Sequence, residues 1–147
     1  MNEQAQVRMA YPEDFVRELG QMTIAFAQLE LDLGLFLESC PAHADCRRSG
    51  RNNFSAKAET LKENHPDLSA AAVVQELNDV NKLRCDLIHG VAVRFSETDE
   101  RFTFLNKARK GDSFGTFGAS DIQDIRIRAQ MLVFGLLALA FDRAKTN

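Results

Sequence analysis

At 147 residues and 16.5 kDa the chain has room for one hydrophobic core and not two, so residues 1–147 read as a single domain. Hydrophobic residues make up 45% and charged residues 27%, which excludes a collagen-like, disordered or disulfide-scaffold protein. A formal charge of -3 excludes a basic coat for nucleic acid spread over the whole surface.

The stretch before Pro12 has neither the apolar core nor the cleavage site of an export signal. The longest apolar run, Met131 to Phe141, falls well short of the roughly 20 residues a membrane-spanning helix needs and reads as a buried helix end. Cys40, Cys46 and Cys85 are an odd number and fit reduced thiols. The expectation is a cytoplasmic protein with no membrane partner.

The first predicted element opens at Pro12, which suits a first helical turn, with Glu13, Asp14 and Glu18 at the positive end of the dipole. Phe15, Leu19, Met22, Phe26, Leu29, Leu33 and Phe36 repeat at spacings of four and three, a stripe that faces a partner helix. Leu31, Leu35 and Leu37 widen it, and Cys40-Pro41 ends it. A polar loop follows over 41–54. Ser55 reads as the N-cap of a short helix to Asn64, and His65-Pro66-Asp67 breaks that helix. Asp67 or Ser69 then caps a long helix running to His89, with Gly90 at the position where left-handed backbone is cheapest.

Beyond Gly90 the period changes to two. Val91, Val93 and Phe95, then Phe102 and Phe104, predict a small hairpin turning at 97–100, followed by the Gly-rich loop KGDSFGTFG. Ser120 with Gln123 three residues on predicts a capping box for the last helix. Its stripe is Ile122, Ile125, Ala129, Leu132, Leu136 and Leu139. The fold expectation is mainly α: an up-and-down bundle of four to five helices with a small β-hairpin between the last two long helices. Stripes wider than one neighbour can cover point to a homodimer.

Charge divides unevenly. Residues 1–38 hold two basic and seven acidic residues, and the remainder holds sixteen and fourteen. Arg47, Arg48, Arg51 and Lys57 form one basic stretch with no acid among them, and Arg101, Lys107, Arg109 and Lys110 another. They are either solvated loops or a phosphate-facing rim.

The densest chemistry lies at the end of the third helix, NKLRCDLIHG. Asn81, Cys85, Asp86 and His89 form a polar stripe, in which Asp86 is three residues from His89 and within reach of its imidazole. Arg84 is five residues from His89, about 140° away around an ideal helix. The two share a site only if the helix end unwinds or a second subunit supplies its copy. In the alternative reading Arg84 pairs with Glu30 or another acid between helices, and His89 caps the carbonyls of its own helix end.

The segment RCDLIHG, an arginine, four residues and a histidine at a helix end, resembles the R-x4-6-H motif of the HEPN superfamily, and FAQLE on an acidic first helix is similar to small bacterial HEPN-like proteins. The resemblance implies a bundle of four or five helices and a homodimer whose two motifs line one cleft. It further implies metal-independent endoribonuclease activity, toxin-like or in RNA processing, and a nucleotidyltransferase-like antitoxin as partner. Family members commonly place Asn, Asp or His directly after the arginine; here Cys85 stands there and the acid comes next, at Asp86. On this reading His89 is the general base or acid, Arg84 holds the scissile phosphate, and Asp86 supports His89. Lys82, Asn81 and the two basic runs contact RNA. No metal or cofactor is called for. The alternative is a non-catalytic interaction module that binds a protein partner or nucleotide.

Other candidates rank lower. Cys40, His43 and Cys46 offer soft metal ligands, but their spacing matches no common zinc pairing and a fourth ligand is missing. Cys85 beside His89 suggests a thiolate nucleophile, with no oxyanion-hole motif to accompany it. KGDSFGTFG lacks the GK[ST] of a phosphate-binding loop. Phe95, Phe102, Phe104, Phe114 and Phe117 either stack bases or pack the hairpin on the bundle.

Overall fold

In a computed structural model of the chain, residues 11–38, 54–64, 68–93, 100–108 and 111–146 are described. The order is α1 (Glu13–Glu38), α2 (Phe54–Asn64), α3 (Leu68–His89), β1 (Val91–Val93), β2 (Phe102–Ala108), β3 (Gly111–Phe117) and α4 (Ala119–Thr146). Among the described residues the fold is mainly helical, with four helices and a small antiparallel sheet between α3 and α4.

The apolar stripes do what their spacing requires. On α1, Phe15, Met22, Phe26, Leu29, Leu33 and Phe36 are buried, joined by Ala25 and Leu37, while Leu19 is half-buried. Leu77, Val80 and Leu87 from α3, and Ile122, Ile125, Ala129, Leu132, Leu136 and Leu139 from α4, complete the core. Burying each of these side chains is worth about 1.5–3 kcal/mol before chain entropy is set against it. Two expectations change here. Leu31 and Leu35 are exposed rather than part of the buried stripe, and only one face of Met131–Phe141 is buried.

Contacts between elements give the helix directions. Arg126 of α4 meets Glu18 of α1, and further along Gln130 and Val133 line the same groove as Ile24 and Gln28, so α1 and α4 run parallel. Arg128 meets Glu76, and Gly135 lies against Val73, so α3 runs antiparallel to α4. Phe54 meets Phe26 and, one turn on, Lys57 meets Glu30, so α2 runs parallel to α1 and antiparallel to α3. Direction therefore alternates from α2 to α3 to α4, but not between α1 and α2. A strict up-and-down order fails at that step.

The predicted hairpin is part of a three-stranded sheet in the order β1-β2-β3. Val91 pairs with Leu105 and Val93 with Thr103, and on the other side Phe102 pairs with Phe117 and Phe104 with Gly115. The third strand is the stretch read from its glycines as a loop. Gly115 pairs with Phe104 as a strand residue, and glycine suits it because a Cβ there would come within 2.7 Å of the Phe117 ring two residues on. The missing side chain makes room for an aromatic on the same face. Phe102, Phe104 and Phe117 are buried. Phe15 packs tilted against Phe102 and stacked on Phe104, with ring centroids at 4.8 and 6.2 Å, and Tyr11 lies 5.0 Å from Phe102. These rings therefore pack the sheet on the first turn of α1.

The helix starts also differ in detail. α4 begins one residue before Ser120, and the cap is made by Gly118 with Asp121 in place of Ser120 with Gln123. The Gly118 N–H donates to Asp121 Oδ2 at 2.7 Å. Asp121 also pairs with Arg101 at 3.3 Å, which ties the cap to the edge of β2. α2 starts one residue before Ser55.

Between α3 and α4, Arg128 Nε and Nη2 donate to the two Glu76 carboxylate oxygens at 2.6 and 2.9 Å. Those hydrogen bonds hold the Glu76 carboxyl below the usual carboxylate range and the Arg128 guanidinium above its own. A depressed carboxyl stabilises the fold above its ordinary titration range, and this stabilisation fades as pH falls through the depressed value. Both groups are more than a third open to water, so Glu76→Gln should cost about 0.5–1 kcal/mol at neutral pH. In urea denaturation the gap between variant and wild type should close as pH is lowered through and below the usual carboxylate range.

Candidate functional site at the end of α3

The last two turns of α3 carry the candidate residues in two directions. Arg84 points inward. Its guanidinium carbon sits 4.3 Å from the centroid of the Phe26 ring, a cation–π contact worth about 0.5–2 kcal/mol. Phe54 packs against the same Phe26 ring, with centroids 4.7 Å apart. Arg84 Nη2 donates to Asn81 Oδ1 at 3.2 Å and lies 3.9 Å from Cys85 Sγ. The Cys85 thiol turns to the same Asn81 oxygen at 3.8 Å, and Asn81 Nδ2 donates to the Ser55 hydroxyl at 3.2 Å. Asn81 thus joins the start of α2 to Arg84, and Ser55 holds that amide rather than capping its own helix.

Arg84 Nε is buried and has no hydrogen-bond partner among the described residues. The other half-buried arginines of the described residues, Arg126 and Arg128, each hold a carboxylate. Arg84 holds none, and Glu30, its alternative partner from the sequence, pairs with Lys57 at 3.8 Å instead. A buried donor left unmade costs about 1–3 kcal/mol. Arg84 is therefore a cation held by a ring and an amide, with no counter-charge among the described residues.

His89 points outward. It is the last residue of α3, it is exposed, and it makes no hydrogen bond or ion pair among the described residues. The expected Asp86 contact to its imidazole is not formed; Asp86 is half-buried and engaged elsewhere. Lys82, seven residues before His89, is exposed and shares its face. Arg84 and His89 thus diverge within one chain, as their five-residue spacing requires.

Gly90 ends α3 for a reason different from the one expected. Its backbone is not left-handed; a Cβ would collide with the Asp86 carbonyl oxygen and stand 3.0 Å from Phe104 Cβ. The Gly90 N–H donates to that carbonyl at 3.1 Å. Glycine fits here because a side chain would first meet the carbonyl of the helix's own last turn and then Phe104 of β2.

The basic runs are placed in part. Lys107 is in β2, two residues past Leu105, which pairs with Val91. Its backbone thus lies at the end of the sheet where α3 stops. Its side chain, Arg109 and Lys110 fall outside the described residues, as do Arg47, Arg48, Arg51, Cys40, His43 and Cys46. Sequence reasoning missed Phe26 and Ser55 as the surroundings of Arg84. Phe26 carries only the signal of a core stripe, and no local pattern ties it to a residue 58 positions on. The shared face of Lys82 and His89 is legible from their spacing.

No protein-family model, no curated protein and no solved structure matches the chain.

The close approach at Gly90 is directly testable. Gly90→Ala should destabilise the protein by about 1–3 kcal/mol through overpacking, read as a lower urea midpoint with an unchanged slope. A midpoint equal to wild type would show that the α3–β2 contact can relax without cost.

Proposed function

We propose that this chain is a HEPN-type, metal-independent endoribonuclease acting as a homodimer with a shared cleft. One observation carries the reading: a half-buried arginine in the R-x4-H segment has a buried Nε without an acceptor and no carboxylate among the described residues. An RNA phosphate supplies both the charge and the acceptor. Guanidinium geometry suits phosphate oxygens, and such a clamp stabilises the charge that develops during transfer.

The chemistry is phosphodiester transesterification. One His89 takes the proton of a ribose 2′-hydroxyl as its oxygen attacks phosphorus. The bond to the 5′-oxygen breaks, and a protonated His89 gives that oxygen a proton. The products are a 2′,3′-cyclic phosphate and a 5′-hydroxyl end. Because Arg84 and His89 diverge in one chain, the arginine of one copy works with the histidine of the other. Lys82 and the backbone position of Lys107 favour phosphate on the His89 side. The sequence resemblance extends the proposal to a nucleotidyltransferase-like antitoxin as partner.

A second reading, a module that binds RNA or a protein without cutting, is favoured by the prior engagement of Arg84 with Phe26 and Asn81. Single-turnover assays on structured and unstructured RNAs, with EDTA present, separate the two. Wild type should leave cyclic-phosphate ends, and His89→Ala and Arg84→Ala should each lose about 100-fold or more in rate with unchanged circular dichroism. Binding without cleavage, weakened by Arg84→Ala alone, supports the module. Neither binding nor cleavage overturns both.

A further inference from the structure

One amide late in α3 holds three neighbours. Asn81 Oδ1 accepts from Arg84 Nη2 at 3.2 Å and from the Cys85 thiol at 3.8 Å, while Asn81 Nδ2 donates to the Ser55 hydroxyl at 3.2 Å. A guanidinium only donates, so the amide must turn its oxygen to Arg84 and its nitrogen to α2. Both ends of Asn81 are thus engaged within the protein.

Asparagine and aspartate have nearly the same shape and differ in charge. At Arg126 and Arg128 the acceptor is a carboxylate, from Glu18 and Glu76. At Arg84 it is an amide, which orients the guanidinium without cancelling its charge. The Phe26 ring, 4.3 Å from the guanidinium carbon, is a second support with no net charge. Arg84 Nε is buried and has no acceptor among the described residues. Neutral groups therefore fix the direction of Arg84 and leave Nε and the full charge for a ligand.

We infer that Asn81 is a positioning residue. It aims Arg84 at an anion of the phosphate class and, as an amide where a carboxylate would fit, keeps that cation unneutralised. Asn81 then acts through Arg84 rather than by touching RNA, and Ser55 steadies it from α2. The inference rests on the part of the ribonuclease reading in which Arg84 clamps phosphate. It adds what sets the clamp. A tie between α2 and α3 alone does not require an amide. The Ser55 hydroxyl can donate to a carboxylate as readily as it accepts from Nδ2, and Arg84 would gain an ion pair.

Thermal denaturation of the full chain in rising inorganic phosphate, with chloride adjusted to hold ionic strength constant, tests this without RNA. A ligand of the native state raises the midpoint as its concentration grows. The general stabilisation by phosphate is common to all variants, and Arg84→Gln measures it. Wild type should gain about 3–6 °C more than Arg84→Gln at about 100 mM phosphate. Asn81→Asp should start no lower than wild type in chloride and gain no more from phosphate than Arg84→Gln does. Asn81→Ala, which removes the amide and adds no charge, should respond with an affinity weakened about tenfold.

A wild type that responds no more than Arg84→Gln overturns the inference. So does an Asn81→Asp protein that responds as wild type does, or one whose response is lost together with a lowered midpoint, since Asn81 then merely holds the fold. Should Asn81→Asp fail to fold, Asn81→Ala decides, and a response equal to wild type overturns the inference. RNA cleavage is scored apart. The expected phosphate pattern without cleavage of any RNA leaves the inference standing and overturns the ribonuclease; cleavage by a protein whose phosphate response ignores Asn81 does the reverse.

Discussion

The arrangement depends on the aromatic seam between the sheet and the first turn of α1. Phe102 and Phe104 of β2 pack on Phe15, with Tyr11 over Phe102 and Phe117 edge-on to Phe104. α3 descends to this end of the bundle and stops at Gly90, whose lack of a side chain lets it touch Phe104. The sheet then delivers the chain to Gly118, where Asp121 caps α4. α4 must start beside the start of α1 and run parallel to it. A direct α3–α4 turn would remove the sheet and leave Phe15 without the Phe102 and Phe104 rings that pack on it.

Two consequences follow. The end of α3 becomes the meeting point of helix, sheet and the start of α2, and this is where Arg84, Cys85, Asp86 and His89 collect. The parallel α1–α4 pair presents its outer face away from that end, with apolar stripes on both helices. Chemistry and apolar surplus therefore sit on different sides of the bundle.

Electrostatics sharpen the contrast around Arg84. Arg126 and Arg128 sit at helix–helix contacts and each has an acid in place. Ion pairs of this kind, partly open to solvent, add little to stability but fix which helices face each other. Arg84 has a ring beneath it and an amide beside it instead. A guanidinium keeps its charge at all ordinary pH values, so this position holds a permanent cation.

Periodicity determined the long helices, because a stripe repeating at three and four has one way to be buried, and caps and breakers placed their starts and the short helix to within a residue or two. It also determined that Arg84 and His89 diverge, since their angle follows from helix geometry. Glycine chemistry misled twice. Gly115 marks a strand that makes room for Phe117, and Gly90 marks a close approach rather than a left-handed turn. In both cases the reason is an atom brought close by the folded backbone, the Phe117 ring at Gly115 and the Asp86 carbonyl with Phe104 behind it at Gly90. Helix direction, the partners of Arg84 and the exposure of Leu31, Leu35 and Phe134 were decided only by the tertiary structure. A stripe states that a face is apolar; which neighbour covers it, or whether any does, depends on packing between segments distant along the chain.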